Sequence, residues 1–138
     1  MLTSETKIRV RYDEADRMGY LHHAVYAVYL EIARTEMLRD LGTSYRELED
    51  KGILLPVYSL TINYKLPAFY DDELTIISNL KMLPVVKLII DYEILNQEER
   101  IICTASSANV FINASNRKPV RAPEVFLEKF NSFFSEND

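Results

Sequence analysis

Cysteine, glycine and tryptophan are scarce or missing in this 138-residue chain, which has one cysteine, three glycines and no tryptophan. The single Cys103 excludes an internal disulfide and fits a reducing compartment. No run approaches the roughly 18 consecutive apolar residues that a membrane span requires. Met1 to Lys7 shows no basic stretch leading into an apolar one, so no secretory signal is expected and the chain reads as cytoplasmic. Positive charge is the minority: 16 Lys and Arg against 21 Asp and Glu leave a net charge of −5. That balance argues against nucleic acid, whose binding rests on cationic contacts to phosphate. Several reaction centres are also missing. There is no Gly-x-Ser-x-Gly elbow, no glycine-rich phosphate loop, and no Cys-x-x-Cys or His-x-x-x-His pair. The adjacent His22 and His23 do not easily face one metal ion, so neither a metal nor a bound cofactor is expected.

What is present suits one globular domain spanning residues 1–138. Hydrophobic residues make up 48% and charged residues 27%, with no repeat, low-complexity tract or linker. A chain of this length buries roughly two thirds of its unfolded surface. Lys7 to Tyr12 alternates as a strand does, and Asp13 to Gly19 is a polar loop. Ala24 to Leu41 reads as the main helix, with Tyr26, Leu30, Ala33, Met37 and Leu41 as its apolar stripe. Glu31 and Arg34 are spaced to pair on its solvent face, and Gly42 suits its end. A short helix follows, with Ser44 and Glu47 at capping-box spacing and Gly52 closing it.

Then the period changes from helical to alternating. Leu60 to Leu66, Leu74 to Met82, Leu88 to Ile94 and Ile102 to Ile112 read as four strands. The breaks between them are too short for parallel crossovers, so the neighbours are antiparallel. Pro123 to Phe134 reads as a C-terminal helix through Phe126, Phe130 and Phe133. One strand plus four gives a five-stranded, mostly antiparallel α+β fold with the long helix on one face of the sheet.

Chemistry concentrates before the long helix. Gly19 permits a positive φ or a close approach to a ligand, and a plain tight loop is the simpler reading. Leu21 to Ala24 contains no Ser, Thr, Asp or Asn to cap the helix. Free N–H groups at a helix start, with its positive dipole end, can polarise a carbonyl. Asp13, Glu14 and Asp16 lie just upstream. A carboxylate beside such a helix end is the minimum for transferring an acyl group to water, by direct attack or by activating a water. Cys103 sits in an apolar strand pattern and reads as an inert buried thiol. Arg117, Lys118 and Arg121 form the densest basic patch, either a solvated loop or a site for a few phosphates.

Three segments resemble a known family. Arg9-Val-Arg-Tyr-Asp-Glu-Ala-Asp16-x-x-Gly19-x-x-x-His23-Ala-x-Tyr26, followed by Glu31-x-Ala33-Arg34-Thr-Glu36, resembles the signature of hotdog-fold thioesterases of the 4-hydroxybenzoyl-CoA thioesterase and YbgC-like type. Asn63-Tyr-Lys-Leu-Pro67-Ala-Phe-Tyr-Asp71-Asp-Glu-Leu74 is similar to the family's Tyr-x-x-Pro-x-x-x-x-Asp-x-Leu hairpin. Arg117-Lys-Pro119-Val-Arg-Ala-Pro123 is similar to its exit from the last strand. The likeness covers nearly the whole chain, and the first segment is the specific one.

The resemblance implies a hotdog fold, a five-stranded sheet wrapped around the long helix, assembled as a homodimer or a homotetramer with sites at the subunit interface. It implies an acyl-CoA thioesterase needing no cofactor, CoA being part of the substrate. In it Asp16 acts as nucleophile or general base, and the backbone N–H of His23 polarises the thioester carbonyl. Gly19 shapes the loop, and Tyr12, His23 and Tyr26 line the pocket. Arg117, Lys118 and Arg121 are candidates for the CoA phosphates. The sequence departs from the family in carrying Glu14 where Asp is usual and Val25 where a small polar residue is common. Glu31 and Glu36 are rival carboxylates, because some relatives place the acid on the central helix. The same chemistry would serve an acyl group on acyl carrier protein. A non-catalytic acyl-CoA-binding module is the third reading.

Overall fold

A computed structural model describes residues 1–134 of the chain. Five strands form one antiparallel sheet in the order β1-β4-β5-β6-β3: β1 (Leu2–Arg9), β3 (Val57–Tyr64), β4 (Glu73–Leu80), β5 (Lys87–Leu95) and β6 (Ile101–Val110). The long helix α1 (His23–Asp40) packs on one face, as the hotdog arrangement requires. A short helix α2 (Tyr45–Asp50) follows it, and α3 (Glu124–Glu128) lies near the end of the chain. None of the described helices is long and apolar enough to cross a membrane.

Alternation explains the layering. Leu74, Ile76 and Leu80 of β4, and Leu88, Ile90, Tyr92 and Ile94 of β5, are all at most 2% exposed. Their period of two turns each of these side chains toward the helix. Tyr26, Leu30, Ala33 and Met37 meet them from α1 at helical spacing. Each fully buried large apolar side chain contributes roughly 1.5–3 kcal/mol. Tyr92 faces Ala105 across the β5–β6 pair, so a small residue makes room for a large one.

The ends of α1 are set locally. Gly42, at φ +78°, donates from its N–H to Arg39 O, and Thr43 N donates to Leu38 O, which satisfies two of the last turn's carbonyls. Ser44 caps α2 by accepting from Glu47 N at 3.1 Å, but the Glu47 carboxylate accepts from Thr43 Oγ1 and not from the Ser44 backbone.

Two expectations are corrected, and one small element is added. Arg34 does not pair with Glu31 on the solvent face; it is buried. Its Nε donates to Tyr45 Oη at 2.6 Å and its Nη1 to Tyr92 Oη at 3.4 Å. Burial works against its charge, but the surrounding tyrosine oxygens outweigh that and hold the guanidinium protonated. The helical period cannot tell a stripe edge from a solvent face when the neighbour supplies hydroxyls. The C-terminal helix is also shorter than expected, only Glu124–Glu128 and then a 3-10 turn at Asn131–Phe133. So short a helix has few internal bonds, and the packing of Phe126 against Phe111 and Phe130 directs the chain there. Finally, β2 (Ile53–Leu54) and β7 (Ile112–Asn113) form a two-residue ribbon outside the main sheet. Two residues carry no readable period.

Candidate active site

The site forms where β1 leaves the sheet and turns into α1. Val10 N donates to Asp72 O at 2.9 Å, and a 3-10 turn, Tyr12–Glu14, begins two residues later. Glu14 holds this turn together. Its Oε1 accepts from Arg11 N at 2.8 Å and from Tyr29 Oη at 2.6 Å, and its Oε2 accepts from Arg11 Nη2 at 3.2 Å. Burial alone would raise its pKa, but these donors outweigh it and hold the carboxyl below the usual range. The Tyr29 phenol is raised in turn, by burial first and then by the hydrogen bond to Glu14.

From Ala15 the chain makes a narrow reversal, with Ala15 opposite Leu21. Asp16 N donates to Tyr20 O at 2.8 Å, and Gly19 N donates to Asp16 O at 3.0 Å. Gly19 sits at φ +81°, and a Cβ there would meet nothing within 4 Å. The requirement for glycine is therefore conformational, and no neighbour in the chain crowds the position. Asp16 Oδ1 accepts from Met18 N at 2.8 Å and Tyr20 N at 3.1 Å. Its other oxygen has no hydrogen-bond partner among the described residues.

The start of α1 has a cap after all, of an unexpected kind. His22 Nδ1 accepts from Ala24 N at 3.1 Å. Val25 N donates to His22 O at 3.0 Å. The N–H of His23, the first helical residue, has no acceptor among the described residues.

Asp16 and His23 line one pocket of about 340 Å³ together with Tyr20, Leu21, Tyr26 and Tyr64. Met18, Lys65, Leu66 and Pro67 complete the wall. Tyr26 is buried and stands edge-on to Tyr64 at 4.9 Å. Burial, with smaller effects from Cys103 and Tyr64, pushes its phenol up to about 12. Tyr64 Oη donates to His23 O at 3.0 Å, so β3 touches the helix start directly. Cys103 lies beside Tyr64 in the sheet, fully buried, and burial raises its thiol to about 11. A thiol so protonated is a poor nucleophile at neutral pH.

The residues expected at the site thus separate. Asp16, His23 and Tyr26 come together, and Gly19 shapes the turn between Asp16 and Tyr20 without lining the pocket. Tyr12 stands apart, 81% exposed and edge-on to Tyr70 at 5.5 Å. Arg117, Lys118 and Arg121 are exposed on the connection after β7, outside the pocket wall. Glu31 and Glu36 border a separate groove on α1 with Val28 and Ile32, and Glu36 pairs with Arg39. Tyr20, Tyr64 and Lys65 were missed. Tyr20 sits between the polar loop and the helix, Tyr64 and Lys65 look like ordinary strand alternation, and no local pattern announces that β3 ends against the helix start.

A carboxylate with one spare oxygen, a spare helix N–H and a half-apolar pocket together can hold a carbonyl and deliver a nucleophile to it. Known thioesterases are similar to this chain over most of its length. The sequence profile of the thioesterase-like superfamily matches residues 10–130. A putative acyl-CoA thioesterase, YneP of Bacillus subtilis (strain 168), is 32% identical over 126 residues, covering 91% of each chain. The acyl-CoA thioester hydrolase YbgC of Escherichia coli O6:H1 is 30% identical over 123 residues, covering 89% of this chain and 92% of that protein. Among solved structures, the DHNA-CoA thioesterase of Staphylococcus aureus superposes with a TM-score of 0.83 at 34% identity, covering 88% of this chain and 81% of that one.

Proposed function

The chain belongs to the thioesterase-like superfamily and is an acyl-CoA thioester hydrolase, and we propose that Asp16 is its catalytic carboxylate and His23 N–H its carbonyl polariser. One observation carries the assignment: Asp16 and His23 line the same pocket, and the second Asp16 oxygen and the His23 N–H are both without a hydrogen-bond partner among the described residues. The thioester carbonyl oxygen accepts from His23 N–H, where the positive end of the α1 dipole adds to the pull. Charge then develops on that oxygen as the carbon turns tetrahedral, and one such donor is worth roughly 3–4 kcal/mol. The free oxygen of Asp16 takes a proton from a water that attacks the carbon, or attacks it directly and is released by water afterwards. Either way the C–S bond breaks and CoA departs as the thiolate; the water consumed supplies the oxygen of the released acid and, through Asp16, the proton that ends on the thiol. Water is the only co-reactant, so no cofactor enters.

Hydrolysis across a panel of acyl-CoA thioesters, with Asp16→Asn as control, tests the reading. Full activity in the variant would overturn the role of Asp16. The exposed Arg117, Lys118 and Arg121 suit the CoA phosphates. Comparing each acyl-CoA with its dephospho-CoA analogue, in protein with and without these cations, tests that part. Turnover of one acyl chain on CoA and on acyl carrier protein separates the two carriers. Tight binding without turnover would instead support a non-catalytic acyl-CoA-binding module.

The assembly is read as a homodimer or homotetramer in the cytoplasm, each subunit one domain of residues 1–138. Support comes from β3, the sheet edge, where Val57, Tyr58, Leu60 and Tyr64 are each 41–53% exposed. An apolar edge strand beside an open pocket calls for cover. Sedimentation equilibrium decides the state, and a monomer at all concentrations would refute it.

A further inference from the structure

The first three N–H groups of α1 have three different fates. His23 N–H is unengaged, Ala24 N–H is taken by the His22 imidazole, and Val25 N–H is taken by the His22 carbonyl. One residue therefore secures two of the three, and the remaining one is the donor assigned to the thioester. The His22 ring also stacks on the His23 ring at 4.5 Å and 24°, which ties the capping side chain to the residue that carries the free donor. Its own backbone N–H donates to Glu14 O at 2.9 Å, anchoring the cap to the 3-10 turn.

We infer that His22 is a positioning residue, an imidazole N-cap that holds the first turn of α1 so that His23 N–H alone stays free to meet the carbonyl. The inference rests on the reading of Asp16 and His23 as the reacting pair. Chemistry explains why an imidazole serves here. Nδ1 accepts only when the ring is neutral and its proton sits on Nε2, so the cap adds no negative charge. An aspartate, a common cap, would place a carboxylate at the first turn of α1, next to the donor that must meet an oxygen becoming negative. Without a cap the turn frays, and a donor that must be aligned before reaction loses its fixed geometry. Such a loss falls on the transition state more than on CoA binding.

The test compares wild type with His22→Ala and His22→Asn, Asn being an ordinary neutral cap. With the acyl-CoA that wild type turns over fastest, the Ala variant should lose about tenfold in kcat with KM nearly unchanged, and Asn should recover most of it. Amide hydrogen exchange at Ala24, followed by NMR in protein without substrate, should quicken in the Ala variant and recover with Asn. Unchanged kcat in the Ala variant, a loss confined to KM, or unchanged Ala24 exchange would each overturn the inference. No turnover by wild type on any acyl-CoA would refute the proposed function, while Ala24 exchange would still decide the cap.

Discussion

Glu14 and Asp16 stand two residues apart in one loop, carry the same charge, and are put to opposite uses. Glu14 is 8% exposed, and both of its oxygens are engaged by Arg11 and Tyr29. Asp16 is half-buried, with one oxygen bonded to Met18 N and Tyr20 N and the other without a partner. A carboxylate whose acceptors are all filled stabilises the turn. One that is held by a single oxygen is both oriented and available. Asp16 therefore also has a structural duty, since its Oδ1 holds the loop through two backbone N–H groups.

The largest effect expected follows from that split. Asp16→Asn keeps Oδ1 for the two backbone donors and removes the basic oxygen, so hydrolysis should fall by at least about 100-fold while the melting temperature barely moves. Asp16→Ala should lose activity and also loosen the loop. A variant pair with equal melting temperatures would break the claim that Oδ1 holds the turn.

Glu14→Ala should act on stability, costing roughly 1–3 kcal/mol in denaturant unfolding because Tyr29 Oη and the Arg11 amide lose their acceptor. Its pH dependence has a definite sign. The folded pKa lies below the ordinary carboxylate value, so Glu14 contributes stability at neutral pH. That contribution is lost as the pH falls through the ordinary value toward the folded one, and Glu14→Gln should flatten this acid limb.

The alkaline limb has the reverse sign. Cys103 is raised from 9.0 to about 11 and Tyr26 from 10.0 to about 12, both by burial first. Each keeps its proton more tightly when folded. Stability should therefore hold below about pH 9 and decline up to about pH 12. Thermal melts across that range check it, and Cys103→Ala should remove the lower part of the decline.

The smallest effect is expected from Tyr64→Phe, which deletes the hydrogen bond to His23 O on a half-exposed side chain. Turnover should fall by no more than about tenfold, matching the roughly 0.5–1.5 kcal/mol of one neutral hydrogen bond.

Much of this molecule was legible from periodicity. The switch from helical to alternating spacing places α1 before a run of antiparallel strands, and Gly42 and Ser44 mark helix ends that the structure keeps. The spacing of Asp16, Gly19 and His23 marks a segment from which Asp16 and His23 both line one pocket. Less legible were contacts made across the fold. Tyr64 looks like one more alternating strand residue until β3 is seen to reach the helix start. Arg34 reads as a surface partner of Glu31 until Tyr45 and Tyr92 are seen to enclose it. His22 is not on the usual roster of capping residues, and only its rotamer shows that Nδ1 reaches Ala24 N.

By itself, then, the sequence determined the long helix, the main strands and where a carboxylate precedes a helix, since these depend on spacing along the chain. Tertiary structure decided which acid is spent on structure and which is left available. Asp13, Glu14 and Asp16 differ little as residue types. The fates of Glu14 and Asp16 turn on which donors, from Arg11, Tyr29, Met18 and Tyr20, the fold brings within hydrogen-bonding distance.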